Sequence, residues 1–219
     1  MHPSSLLRMT WFRDTYLTRT PLSGKINVLD VGSYDVNGSY KELFPGDRFT
    51  YTGLDMEQGP NVDICPKNPY IWTEIESGTF DAVISGQAFE HMEFFWLAAA
   101  EIARVVKKNG LVCIVAPRGF ERHRYPVDCY RFDADGLVGL AKYVNLKPLH
   151  ASTNLAPAGA SVQWYSEGEQ DSLLVAIKPA NWDGQLVDVT NYTCIPPDLD
   201  SLATGMISLE QQQQLIRQR

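Results

Sequence analysis

The stretch VLDVGSYDVNGSY (28–40) decides how this 219-residue chain is read. An apolar run at 26–31 ends in Asp30–Val31–Gly32 and passes straight into a turn-rich segment, 32–38. A short apolar run bounded by glycine predicts a buried strand, and glycine at its carboxyl end lets the backbone take positive φ or approach a ligand closely. Outward from this point, further strands are expected at 49–54, 62–64, 80–84 and 111–116, the one at 62–64 short. A short helix is expected to end near Phe44. Residues 93–107 read as a helix, because Phe94, Leu97, Ile102, Val105 and Val106 give mostly i, i+3, i+4 spacing. Lys107–Lys108–Asn109–Gly110 would close it with basic residues and a left-handed cap.

A helix at 134–144 and strands at about 146–153 and 172–178 complete the pattern. Strand–helix alternation through residue 116 implies right-handed crossovers and a parallel sheet, with the last two strands an antiparallel pair at one edge. The fold class is α/β, Rossmann-like, with helices on both faces. Residues 4–17 place Leu6, Met9, Phe12, Tyr16 and Leu17 near one helical face. Trp11, Phe12 and Tyr16 would either form a lid on a ligand or cover the sheet. The chain divides into an N-terminal helical segment (1–22), a main domain (23–180) and a C-terminal extension (181–219). The extension carries Pro196–Pro197 and a glutamine run at 211–214, with a helix expected in its last dozen residues.

The composition is 44% hydrophobic and 21% charged, which suffices for a sizeable core. A net charge of −7 argues against nucleic acid as a partner, since phosphate backbones call for clustered Lys and Arg. No run is long and apolar enough for a membrane span. The four cysteines are scattered, and no C-x-x-C or Cys/His pair has zinc spacing, so no metal is expected. They read as reduced thiols of a cytoplasmic protein.

Three features converge beyond the carboxyl ends of the strands, where open α/β sheets bind ligands. Gly32 and Gly38 flank the turn after the first strand. Asp55 ends the second strand 23 residues beyond Gly32, at the spacing where a carboxylate accepts from both hydroxyls of a ribose. Gly86 follows the strand at 80–84. A pyrophosphate would call for G-x-G-x-x-G, but Tyr34 stands at the middle glycine and Asp35 adds negative charge. Both disfavour a dinucleotide and a nicotinamide-dependent oxidoreductase. Neither opposes S-adenosylmethionine, a nucleoside cofactor with no phosphate and a sulfonium cation.

The segments VLDVGSYDVNGSY (28–40), YTGLDMEQGPNVDI (51–64), FDAVISGQAFEH (80–91), EIARVVKKNGLVCIVAP (101–117) and HRYPVDCYRF (123–132) together resemble class I S-adenosylmethionine-dependent methyltransferases of the methyltransferase type 11 kind. The resemblance implies a seven-stranded sheet with an antiparallel seventh strand. It implies Asp30, Gly32, Ser33 and Gly38 around the methionine portion of the cofactor, Asp55 on the ribose and Met56 near the adenine. It further implies Asp63 and Ile64 flanking the adenine, and Gln87 beneath the cofactor. Tyr34 departs from the family's usual glycine.

Methyl transfer is an in-line displacement, so the protein must align the acceptor and exclude water. A hydroxyl acceptor must also lose its proton, and His91 and His123 are the candidate bases. Arg124 and Arg131 are candidate clamps on an anionic or sugar-like acceptor, although Asp128 and Arg131, three apart, also read as an ion pair. Tyr125, Tyr130 and Phe132 would wall the acceptor pocket or pack against it. The expected function is O-methylation of a small molecule or glycan. The alternative is an S-adenosylmethionine-binding module that transfers nothing and acts through a protein partner. Asn68–Pro69–Tyr70 is discounted as an amino-methylating motif, because that motif belongs after the strand at 80–84.

Overall fold

A computed structural model describes residues 3–18, 24–119, 121–153 and 170–190. The apolar runs form strands β1 (Ile26–Val31), β2 (Phe49–Leu54), β3 (Phe80–Gly86), β4 (Val106–Gly119), β5 (Lys147–Thr153) and β6 (Gln170–Ile177). They make one sheet in the order β2-β1-β3-β4-β6-β5. β1 pairs parallel with β2 and β3, and β3 with β4. β6 runs antiparallel to both β4 and β5, which gives the antiparallel pair expected at this edge.

Helices cover both faces, so β1, β3 and β4 are buried almost throughout. Successive side chains of a strand point to opposite faces, and the two cores divide accordingly. Leu29 and Val83 pack with Phe89 and with helices α2 (Phe95–Val105) and α3 (Ala134–Tyr143). Val28, Ala82 and Ile84 pack beneath α1 (Pro3–Phe12) and the wider π-helical turn that prolongs it, Arg13–Leu17. Phe12 and Tyr16 are buried in this second core and Trp11 packs against it. The N-terminal aromatics therefore cover the sheet, and none of the three lines the ligand crevice described below. Leu6, expected on the buried face, is exposed.

The structure departs from the sequence reading at three elements. Among the described residues the sheet has six strands, not the seven expected. At 62–64 there is only an isolated parallel bridge between Leu54 and Ile64. The segment is tied instead to one residue of β2: the Gly53 carbonyl accepts from the amides of Asp63 and Ile64, both at 2.9 Å, and the Asp63 carboxylate accepts the Gly53 amide at 2.8 Å. The helix expected to end near Phe44 is a single 3-10 turn, Lys41–Leu43. The helix expected at 93–107 stops at Val105, and the chain enters β4 at once, so Lys107 and Lys108 belong to a strand. Its negative end is met by Lys178, just past β6, whose Nζ donates to the carbonyls of Arg104 (3.2 Å) and Val106 (2.7 Å) and lies 3.9 Å from the Trp182 ring.

Beyond β6, the Trp182 indole donates to the Val144 carbonyl at 2.9 Å, and the Val187 amide to that of Tyr143 at 2.9 Å, so the start of the extension packs on α3. The helix expected in the last dozen residues, and 191–219 as a whole, lie outside the described residues. Among the described residues no helix is long and apolar enough to cross a membrane.

Candidate active site

The carboxyl ends of β1, β2 and β3 open into a cavity of about 800 Å3, at the position where parallel α/β sheets hold ligands. Gly32 makes the crevice possible. Its φ is +85°, and a Cβ there would stand 2.3 Å from the Cβ of Ala88, so the turns after β1 and β3 can touch only with glycine. The amides of Gly32 and Ser33 both donate to the Leu54 carbonyl, at 2.8 and 3.1 Å, which fastens the β1 turn to the end of β2. Asp55 accepts the Tyr34 amide at 3.0 Å and the Glu57 amide at 3.2 Å. The loop thus accommodates Tyr34 in place of glycine by bonding its backbone to the carboxylate at the end of β2. Burial raises the Asp55 pKa above its ordinary value, and these amides oppose the rise.

Asp30, on β1, is 2% exposed. One carboxylate oxygen accepts the Tyr51 hydroxyl at 2.5 Å, and the other has no hydrogen-bond partner among the described residues. Burial pushes its pKa up to about 7, with Asp55 adding to the rise and the Tyr51 hydroxyl opposing it. Tyr40 also faces it. A carboxyl raised on folding stabilises the native state fully below its unfolded pKa of about 4, and that stability is lost as pH rises through the native value. Asp30→Asn removes the titration. Denaturant unfolding of the unliganded protein at pH 5 and pH 8 should show the wild type losing stability relative to Asp30→Asn on the order of a few kcal/mol over that interval. A constant difference between the two proteins would contradict the assignment.

Of the residues singled out for the cofactor, Asp30, Gly32, Ser33, Gly38, Asp55, Met56 and Gln87 border the cavity. Asp63 and Ile64 do not; they brace Gly53 from behind. Gln87, with φ at +56°, forms part of the floor. Its amide nitrogen donates at 3.0 Å to Asp171, a buried residue of β6 that also accepts the Ser4 hydroxyl of α1. Ser5 and the Tyr40 hydroxyl, which borders the cavity, lie 2.5 Å apart. The N-terminal helix therefore supports the crevice through hydrogen bonds rather than as a lid. Tyr40 and Asp171 escaped the sequence reading, because their partners are remote in the chain.

The opposite wall carries His91, His123, Arg124 and Tyr125. Asp128 and Arg131 are absent from the lining and pair with each other at 2.5 and 3.0 Å. The Arg131 guanidinium holds the Asp128 carboxyl well below the usual range. Asp128 also accepts the His123 amide at 2.8 Å, so the ion pair shapes the loop that delivers His123.

The two imidazole centroids are 4.9 Å apart, edge to face. His91 Nδ1 lies 2.6 Å from the Val127 carbonyl and His123 Nδ1 lies 3.0 Å from the Glu121 carbonyl. A carbonyl only accepts, so each Nδ1 carries a proton, and the neutral form of either ring has its lone pair at Nε2. Burial lowers the His91 pKa below its ordinary value.

Between Phe89 and His91 stands Glu90, fully buried. Neither carboxylate oxygen has a hydrogen-bond partner among the described residues, and burial pushes its pKa up to about 8. Its backbone carbonyl accepts the amides of Cys129 (2.7 Å) and Tyr130 (3.2 Å), joining the β3 turn to the 121–132 loop. The sequence offered one faint signal of this residue, a carboxylate set among apolar neighbours at a strand's carboxyl end.

Residues 67–114 match the family described as a methyltransferase domain. No curated protein matches the sequence. Solved structures share the fold. The cyclase SpnF aligns with a TM-score of 0.59 at 17% identity, covering 81% of this chain and 82% of that one. YcgJ from Bacillus subtilis aligns at 0.56 and 16%, covering 81% and 99%. The 1,6-didemethyltoxoflavin-N1-methyltransferase of Burkholderia thailandensis, solved with S-adenosylhomocysteine, aligns at 0.56 and 15%, covering 81% and 80%.

Residues 67–114 thus match a methyltransferase domain, and the chain has the fold of class I S-adenosylmethionine-dependent methyltransferases. S-adenosylmethionine is the cofactor of that class, and the residues present fit it. The cavity is bordered by Asp30 and Gln87, each with a buried acceptor oxygen lacking a partner among the described residues. An acceptor-rich wall suits ammonium, sulfonium and ribose hydroxyls and would repel phosphates.

Proposed function

We propose that the protein methylates a hydroxyl oxygen of a small molecule or sugar unit. One observation carries this reading: a single cavity is lined both by the acceptor carboxylates of Asp30 and Asp55 and by two imidazoles, His91 and His123, together with Arg124 and Tyr125. Its volume of about 800 Å3 falls in the upper part of the roughly 300–1,000 Å3 typical of small-molecule sites, which suits a cofactor and a modest acceptor side by side. Bound S-adenosylmethionine supplies an electrophilic methyl group on sulfur.

Asp55 grips the ribose diol, and Met56 lies by the adenine with Asp63 and Ile64 bracing the strand behind it. Asp30, Gly32, Ser33, Gly38 and Gln87 surround the methionine portion. Arg124 and Tyr125 orient the acceptor, while Asp128 and Arg131 hold their loop in place. His91 and His123 act on the acceptor's hydroxyl, easing loss of its proton. Residues 23–180 are the catalytic unit, flanked by 1–22 and 181–219. The unpaired thiols of Cys65, Cys113 and Cys129 suit a reducing cytoplasm.

Calorimetric titration with S-adenosylhomocysteine, followed by labelled-methyl transfer from S-adenosylmethionine to fractionated small molecules, tests this reading. Binding together with a protease-resistant, alkali-stable labelled product supports it. Binding without product points to a module that acts through a protein partner. His91→Ala and His123→Ala should each lower turnover by about a hundredfold or more, in the usual range for acid–base groups, while S-adenosylhomocysteine still binds. Unchanged turnover in both would remove them from the chemistry.

A further inference from the structure

We propose that Glu90, His91 and His123 bind one divalent transition-metal ion at the acceptor end of the cavity. One potential ligand atom from each residue lies within 4.8 Å of the other two. His91 Nε2 and a Glu90 carboxylate oxygen are 3.6 Å apart. Ligands bound tetrahedrally to zinc at about 2.0–2.1 Å stand roughly 3.4 Å from one another, so small side-chain adjustments close the site.

The protonation pattern favours a metal over a simple hydrogen-bonded cluster. Each imidazole commits its Nδ1 proton to a backbone carbonyl, Val127 for His91 and Glu121 for His123. Metal-ligating histidines are characteristically oriented this way, with the other ring nitrogen anchored and the lone pair presented to the ion. Facing them is Glu90, fully buried, with neither oxygen in a hydrogen bond among the described residues. A buried acceptor left without a donor is costly, more so when charged, and an Nδ1-protonated neutral His91 offers it no proton. The nearby guanidinium of Arg131 is taken by Asp128. A cation between the three side chains satisfies all of these groups at once.

Two neutral imidazoles and one carboxylate are the ligand set of catalytic zinc sites and of mononuclear iron(II) sites, which keep a coordination position open. Both histidines line the cavity, so that position faces the acceptor. An oxygen bound there loses its proton to water more readily, as metal-bound water does. The two imidazoles would then act on the hydroxyl through the ion rather than by taking its proton. This last step rests on the O-methylation reading; the metal site itself does not.

The full chain is stripped with a chelator and titrated with cobalt(II), followed by visible absorption and equilibrium dialysis. The expected result is one cobalt per chain with ligand-field bands and no thiolate charge-transfer band. Glu90→Gln and His123→Ala should each weaken binding by at least about tenfold. Circular dichroism of the metal-free variants reports their folding, and if Glu90→Gln does not fold, His123→Ala, on a loop, still decides the matter. Failure of the stripped wild type to take up cobalt, equal affinity in a folded His123→Ala, or a thiolate band would each overturn the proposal. S-adenosylhomocysteine is titrated into the same metal-free sample. Cofactor binding and methyl transfer without cobalt uptake would remove the ion and leave the transfer reading standing. Cobalt uptake without cofactor binding would do the reverse.

Discussion

Asp55→Ala is expected to weaken S-adenosylhomocysteine binding by about tenfold to a hundredfold, the loss of about 1.5–3 kcal/mol associated with hydrogen bonds to a charged group. Two effects add in the same direction. In the proposed placement the ribose hydroxyls lose their acceptor, and the amides of Tyr34 and Glu57, now bonded to the carboxylate at 3.0 and 3.2 Å, lose the group that sets the loop's path. Asp55→Asn keeps an acceptor oxygen but not the charge, and should fall between the two. Calorimetry on both variants decides: an affinity equal to that of the wild type would mean that the ribose is held elsewhere.

Gly53→Val should be the most destabilising single change in the strands around the site. A Cβ at this position would stand 2.0 Å from the backbone oxygen of Asn61 and 2.6 Å from the Ser33 hydroxyl. Backbone cannot swing aside as a flexible side chain can, so the 61–64 segment has to leave β2. Asn61 would go with it, and its side chain donates to the Ser33 carbonyl and contacts the Ser39 and Tyr51 hydroxyls. Overpacking of this kind costs about 3 kcal/mol or more, which for a chain of this size lowers the melting temperature by about 6–12 °C. Gly136→Ala provides the contrast. Gly136 lies in α3 with nothing within 4 Å of an added Cβ, so the substitution should stabilise by about 0.5–1 kcal/mol. If Gly53→Val melts with the wild type, the approach of Asn61 to β2 is not as tight as described.

Local pattern carried the fold class because it is written in periods of two and 3.6 residues. β1, β3 and the inner part of β4 announce themselves as apolar runs, and the glycine after β1 and the carboxylate after β2 mark the crevice. The segment at 62–64 was expected to be a strand, yet its backbone bonds to Gly53, Asp55 and Gly59 around the end of β2 instead of forming a ladder. The end of α2 was misread because Lys107 and Lys108 satisfy a local capping rule, whereas the cation that meets that end comes from Lys178, past β6. A capping preference of about 1 kcal/mol or less yields readily to the burial of a strand such as β4.

By itself, the sequence pointed to a parallel α/β sheet, to a crevice at the ends of β1 and β2, and, because Tyr34 and Asp35 disfavour a pyrophosphate, to a cofactor without phosphate. Only the tertiary structure decided what the N-terminal aromatics cover, how Gln87 is braced through Asp171 to α1, and that Glu90 and His91 meet His123. Spacing rules detect ligands that lie one turn or one loop apart. His123 comes from a loop after a different strand, and its approach to Glu90 follows from the register of β3 with β4 and from the amides of Cys129 and Tyr130 on the Glu90 carbonyl. Contacts of that kind depend on how elements pack, which no local period records.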